Sequence, residues 1–240
     1  MLGRLYSSSR WSDRGGVIPG RNHLCKRSRD ALLLTAPESG RTHQLMAEGS
    51  INRGDSHAAI VQYQKALEVD PKLRGVHYEL GEAILQSSRQ ATALEAAEKE
   101  FRAALAENSG DANAEYWLGI ICSLWGDYRT AMEYYSRALQ LSPNAAYAHQ
   151  ALGAASIKMG KPEKALEHLL AATRLDPLYP TAHYQPGTVY RQLGRESDAR
   201  RKLAAFEKLE KARKQTEQVY SRIRRGFSDT DPDEADTPSN

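Results

Sequence analysis

The sequence predicts an all-α solenoid of about five helix-turn-helix repeats ending in one long C-terminal helix, and three observations carry that prediction. An alanine column recurs at Ala59, Ala97, Ala131, Ala165 and Ala199, with spacings of 38, 34, 34 and 34 residues. Apolar residues inside the units fall three and four apart, as in Leu118, Ile121, Cys122 and Trp125, and strand alternation is absent. Between Arg195 and Arg225 neither Gly nor Pro occurs, so one helix can run well past the last repeat.

At 240 residues, 40% hydrophobic and 26% charged, the chain can bury a continuous core over most of its length. Residues 1–39 read as a disordered basic leader: within residues 1–30 seven Arg or Lys stand against Asp13 and Asp30, and Gly15, Gly16, Pro19 and Gly20 interrupt any helix. The stretch around Ser7, Ser8, Ser9, Arg10 and Arg14 is basic, serine-rich and acid-poor, as an organelle transit peptide would be, and a start placed too far upstream is the competing account. The apolar core of a secretory signal is missing, which favours the cytoplasm and otherwise leaves the compartment open.

Five further features keep the beat of the alanines. A bulky one follows at Tyr63, Phe101, Tyr135, Leu169 and Leu203, then a small one at Ala66, Ala104, Ala138 and Ala172 that Phe206 closes. Upstream recur Leu80-Gly81, Leu118-Gly119, Leu152-Gly153 and Pro186-Gly187, while Gly126, Gly160 and Gly194 mark a turn and Pro71, Pro143 and Pro177 end units. Small side chains let two helices cross closely, and the bulky column is expected to fill the space between units. Glycine after the first helix suits a left-handed C-cap, and proline after the second forces the chain to turn.

In these columns the sequence resembles the tetratricopeptide repeat family over about residues 40–213, in units 40–73, 74–111, 112–145, 146–179 and 180–213. The first unit has Met46-Ala47 for Leu-Gly but keeps Gly54 and Pro71. The second carries four extra residues between Gln86 and Glu95, and Ser109 in place of proline, so its inter-helix loop is expected to differ. Pro186 inside the first helix of the last unit predicts a lost hydrogen bond and a bend or late start. The resemblance implies a right-handed α-α superhelix whose first helices line a concave face.

The last helix, over 195–226, carries a narrow stripe of Phe206, Leu209, Ala212, Thr216, Val219, Tyr220 and Ile223. It is expected to cap the open end of the stack, with a homodimer through the same helix as the alternative. Its many Arg and Lys residues leave a nucleic-acid or membrane-surface contact as a third account, which the net charge of only +3 disfavours. Residues 227–240, with Asp229, Asp231, Asp233, Glu234 and Asp236 and no base, read as a disordered acidic tail that could screen the basic helix.

Catalytic signatures are missing. No phosphate-cradling loop, zincin helix or nucleophile elbow occurs, so no catalytic residue, metal or cofactor is assigned. Cys25 and Cys122 form no ligand spacing, and Cys122 fits a buried small hydrophobe. His43, His77, His149 and His183 share one column of successive units, too far apart for a common metal. No run approaches the ~20 apolar residues of a transmembrane segment.

The resemblance places Gln44, Tyr78, Tyr116, Gln150 and Tyr184 in one groove-facing column. Glu48, Glu82, Ile120, Ala154 and Thr188 form a second, and Ile51, Leu85, Ser123, Ile157 and Arg191 a third. A peptide groove is expected on Tyr78, Glu82, Tyr116, Ile120, Leu124, Tyr147, Gln150, Ile157, Tyr184 and Arg191, acidic at its N-terminal end and basic toward Lys158 and Arg191. The competing account packs the tyrosines between neighbouring first helices. A two-carboxylate clamp is disfavoured, since only Asn113 fits among Gln44, Glu48, Glu79, Asn113 and Trp117. The expectation is a non-catalytic scaffold for a protein or peptide partner, with an accessory or regulatory subunit of an enzyme system, or a basic-helix binder, as alternatives.

Overall fold

The computed structural model describes residues 35–228, with side chains as far as Arg222. The expectations for residues 1–34, with Cys25, and for the acids from Asp229 onward lie outside the described residues. Described residues 36–39 of the expected leader are built into the fold: Ser39 caps the first helix by accepting from the Thr42 amide at 3.2 Å, and the Thr42 hydroxyl donates to Ala36 O at 2.7 Å.

The chain divides into two compact units, residues 1–107 and 108–240. The first holds α1 (Gly40–Asn52), α2 (Ser56–Val69), α3 (Val76–Ser87) and α4 (Ala91–Glu107). Consecutive helices pack on one another around Ala47, Ala59, Tyr63, Ala66, Val76, Leu80 and Ala83. The second holds α5 (Ala112–Leu124), α6 (Tyr128–Leu141), α7 (Ala146–Lys158), α8 (Pro162–Leu175), α9 (Thr181–Gln192) and α10 (Glu196–Ser228). Hairpins α5–α6, α7–α8 and α9–α10 stack in order, giving with the first unit an all-α helical-repeat fold.

Each hairpin turn takes three residues. In α5–α6, Gly126 adopts φ +83°, where a Cβ would be strained, and Asp127 accepts from the Thr130 amide to cap the next helix. Gly54, Gly160 and Gly194 do the same at their turns.

The irregular unit departs from the expectation. Its turn, residues 88–90, is as short as the others, with Ser88 extended at φ −155° and ψ 154° in place of a left-handed glycine. The four extra residues lie in helix instead: α3 runs one residue further past its Leu-Gly pair than α5 does, and α4 starts six residues before Ala97 where α6 starts three before Ala131. Ala91, Ala93, Leu94 and Ala96 favour helix, so the insertion is absorbed without a longer loop.

The bulky column also differs. It lies inside each hairpin, directly over the glycine of its own unit, as well as joining the core toward the next. A Cβ built on Gly119 would stand 2.5 Å from the Tyr135 ring, and one on Gly81 2.9 Å from Phe101. Gly153 and Gly187 face Leu169 and Leu203 at 2.6 and 2.8 Å. Glycine is needed because a large side chain occupies the place of its Cβ. The first hairpin makes the same crossing with Ala47 over Tyr63, both buried.

α9 runs through Pro186 from Thr181 without interruption. The carbonyl that Pro186 cannot serve, Ala182 O, accepts from the Thr173 hydroxyl at 2.6 Å, which stands also 2.8 Å from Leu169 O. α8 thereby supplies the donor that α9 lacks, and Pro186 itself is fully buried.

α10 is 33 residues long, about 50 Å at ~1.5 Å per residue. Its first three turns pack on α9, with Phe206 against Tyr184 at 5.2 Å between ring centroids. Beyond Arg213 every residue to Arg222 is exposed, Tyr220 at 66%. The expected cap therefore reaches only to about Arg213, and the distal stripe is uncovered among the described residues.

Candidate functional site

In residues 108–240 the first helices α5, α7 and α9 lie beside one another, so their side chains form a common set. Of the expected groove residues, Tyr116 is 8% exposed and Ile120 is buried. The Tyr116 ring packs on Tyr147 at 4.6 Å, Trp117 at 5.6 Å and Tyr135 at 5.8 Å, which takes it out of the solvent-facing set. Here the tyrosine-packing account describes the geometry. Tyr147 lies over it, half-buried, and its hydroxyl donates to Asn113 Oδ1 at 2.6 Å across α5 and α7. Burial, and then Asp111, push the Tyr147 phenol up, so it stays a neutral donor.

Gln150 and Ile157 are half-buried and Arg191 is exposed. Leu124 and Tyr184 are 50% and 48% exposed, a large apolar surface for residues at helix ends and faces. Ser123, in the third column, is turned inward by its hydroxyl contact to Tyr135 Oη at 3.0 Å.

In residues 1–107 the equivalent helices are α1 and α3. Tyr78 and Glu82 are half-buried, with Tyr78 edge-on to Phe101 at 5.8 Å. Gln44 and Leu85 are buried rather than groove-facing. The Gln44 amide donates to Glu79 Oε2 at 2.8 Å while its carbonyl accepts from Arg41 at 2.6 Å. Burial raises the Glu79 carboxyl, the Gln44 bond lowers it, and Glu48 and Glu82 add to the rise. Burial and the same three carboxylates hold the Tyr63 phenol far above its usual range, so this face is acidic.

The histidine column has a structural use that the sequence reading missed. In three hairpins the first-helix residue of this column faces a second-helix residue of its own hairpin, one position before the bulky column. His43 Nδ1 donates to Gln62 Oε1 at 2.9 Å, and His77 Nδ1 to Glu100 Oε2 at 2.7 Å. His149 Nδ1 meets His168 Nδ1 at 3.2 Å. The pairs are 19 residues apart, or 23 where the four extra residues intervene, and that constant offset is the signal that could have revealed them. Glu115 takes the histidine place in the middle hairpin, 3.9 Å from Arg137, its carboxyl raised by burial against the pull of that guanidinium. In the last hairpin His183 donates through Nε2 to Pro177 O at 2.9 Å.

Among the described residues no three or more His, Cys, Asp or Glu side chains are placed to hold a metal ion, and no helix is long and apolar enough to cross a membrane.

Solved structures share this arrangement. MamA matches with 22% identity over 70% of this chain and 96% of that one, at a TM-score of 0.62. MamA 41-end from Desulfovibrio magneticus RS-1 matches with 18% identity over 72% and 96%, at 0.64. YrrB, described as a TPR protein with an unusual peptide-binding site, matches with 21% identity over 76% and 92%, at 0.60. At these identities the likeness is one of fold. No curated protein matches the sequence. Tetratricopeptide repeats are matched at residues 47–100, 94–146 and 126–185, which together run over more than half of the 240 residues. With the alanine, glycine and bulky columns meeting inside each hairpin, the chain belongs to the tetratricopeptide repeat family.

Proposed function

We propose that the protein is a non-catalytic scaffold that holds a partner polypeptide against the first-helix faces of its hairpins. The observation that carries this reading is the pairing of exposed Leu124 and Tyr184 with half-buried Tyr147, Gln150 and Ile157 on three adjacent first helices. Tyrosine offers wide contact area with a polar tip at little entropic cost, and Asn113 already orients one such tip. Arg191, exposed on α9, suits an acidic group at that end. In residues 1–107, Glu48, Glu79 and Glu82 beside Tyr78 suit a basic side chain. The peptide-binding site attributed to YrrB supports the same use here. Repeat proteins of this family are generally non-catalytic, which agrees with a chain whose recurrent residues serve packing.

The test is selection of short peptides from a displayed random library on the full chain, beside a Leu124→Asp, Tyr184→Ala variant with an unchanged circular dichroism spectrum. The wild type should enrich related sequences and the variant should lose them. Equal enrichment by both, or none by the wild type, refutes the face.

A further inference from the structure

α10 carries a second surface that the hairpin faces do not explain. Arg200, Lys208, Lys211, Lys214 and Arg222 are all exposed and, at about 100° per residue, fall within roughly 120° of arc, with Glu207 as the one acid among them. None of the five enters an ion pair among the described residues. Two cations on other sides of the helix are held: Arg201 by Asp198 at 2.6 Å, and Arg213 by Glu210 at 2.9 Å and by Glu217. The stripe lies across the helix from Leu209, Thr216 and Tyr220, so a second copy docked on that apolar edge would leave it open.

We propose that the distal part of this stripe, Lys211, Lys214 and Arg222, is the docking surface for the acidic segment Asp231–Asp236 of the same chain. Charge complementarity selects the occupant, because residues 229–240 carry five acids and no base and begin one residue after α10 ends. Reach limits the docking. Asp236 is eight residues past Ser228, about 26 Å at ~3.3 Å per extended residue. Lys211 is 17 residues back along α10, also about 26 Å. Lys208 and Arg200 lie further back, at about 30 and 42 Å, beyond the acids. The contact would cover the stripe against other polyanions and leave a basic remainder near the repeats.

Zero-length carbodiimide cross-linking of the full chain, mixed as heavy- and light-isotope copies, tests this. The expected result is same-copy amide links from Glu234 or Asp236 to Lys211 and Lys214, at several times the yield at Lys208. These links should disappear near 1 M salt, where the Debye length is about 3 Å. In the chain lacking residues 229–240, retention on heparin should rise, and Lys211→Glu with Lys214→Glu should reverse that rise. Links spread evenly over surface lysines, links only between copies, or unchanged heparin retention on removing the segment would each overturn the proposal.

Discussion

The Thr173 hydroxyl stands 2.6 Å from Ala182 O, the carbonyl four residues before Pro186 that the proline cannot serve. Both groups are buried, so the second helix of one repeat repairs the first helix of the next. Thr173→Val should cost about 1–3 kcal/mol, since it leaves a buried acceptor without its donor. Pro186→Ala restores an amide N–H at that carbonyl. A double-mutant cycle read by urea unfolding should then show Thr173→Val costing less in the Pro186→Ala background; equal costs would mean the two are uncoupled.

Gly119 is set by the Tyr135 ring and Gly126 by its backbone. Gly119→Ala forces a Cβ 2.5 Å from the ring and should cost about 1–3 kcal/mol as the hairpin shifts. Gly126→Ala meets nothing within 4 Å but holds φ +83°, and should cost about 1–2 kcal/mol through strain alone. Replacing Tyr135 by Ala should abolish the first penalty and leave the second, which urea midpoints of the single and double variants will read.

The His149–His168 pair makes stability depend on pH. His149 Nε2 donates to Pro143 O at 3.2 Å, so in the neutral pair its Nδ1 accepts from His168. Burial, and then His149, hold His168 below its usual value, with Glu167 pulling the other way. The folded value lies below the unfolded one near 6.5, so the unfolded chain takes up the proton first. Stability should be full above about pH 6.5 and fall as pH drops below it. His168→Gln should flatten the fall in urea midpoint between pH 7 and 5; an unaltered slope would assign it elsewhere.

Val219 and Tyr220 are exposed on the distal part of α10. Replacing both by Ser should change monomer stability by no more than about 0.5 kcal/mol. A larger loss, dependent on protein concentration, would show that a second copy covers this edge.

The hairpins were legible because their determinants are local in sequence or recur with a fixed period. Gly126 announces a left-handed turn and Ala131 a close crossing wherever they stand. Period alone puts four extra residues between Gln86 and Glu95 and cannot tell a longer turn from a longer helix. Tyr116 and Tyr147 occupy the first helices of successive units and read as equally open. Only their 4.6 Å separation shows that one lies beneath the other.

The sequence by itself determined the repeat, its period, the turns and the long final helix, because small, large and helix-breaking residues act through sterics that need no distant partner. Tertiary structure decided which face of each helix remains open, since that depends on the neighbour across the hairpin and in the next unit. It also decided that Thr173 completes α9, that His149 meets His168, and that α10 leaves its hairpin near Arg213. None of the three can be read from one helix alone, because each depends on how far neighbouring helices extend and which of their groups meet once they are stacked.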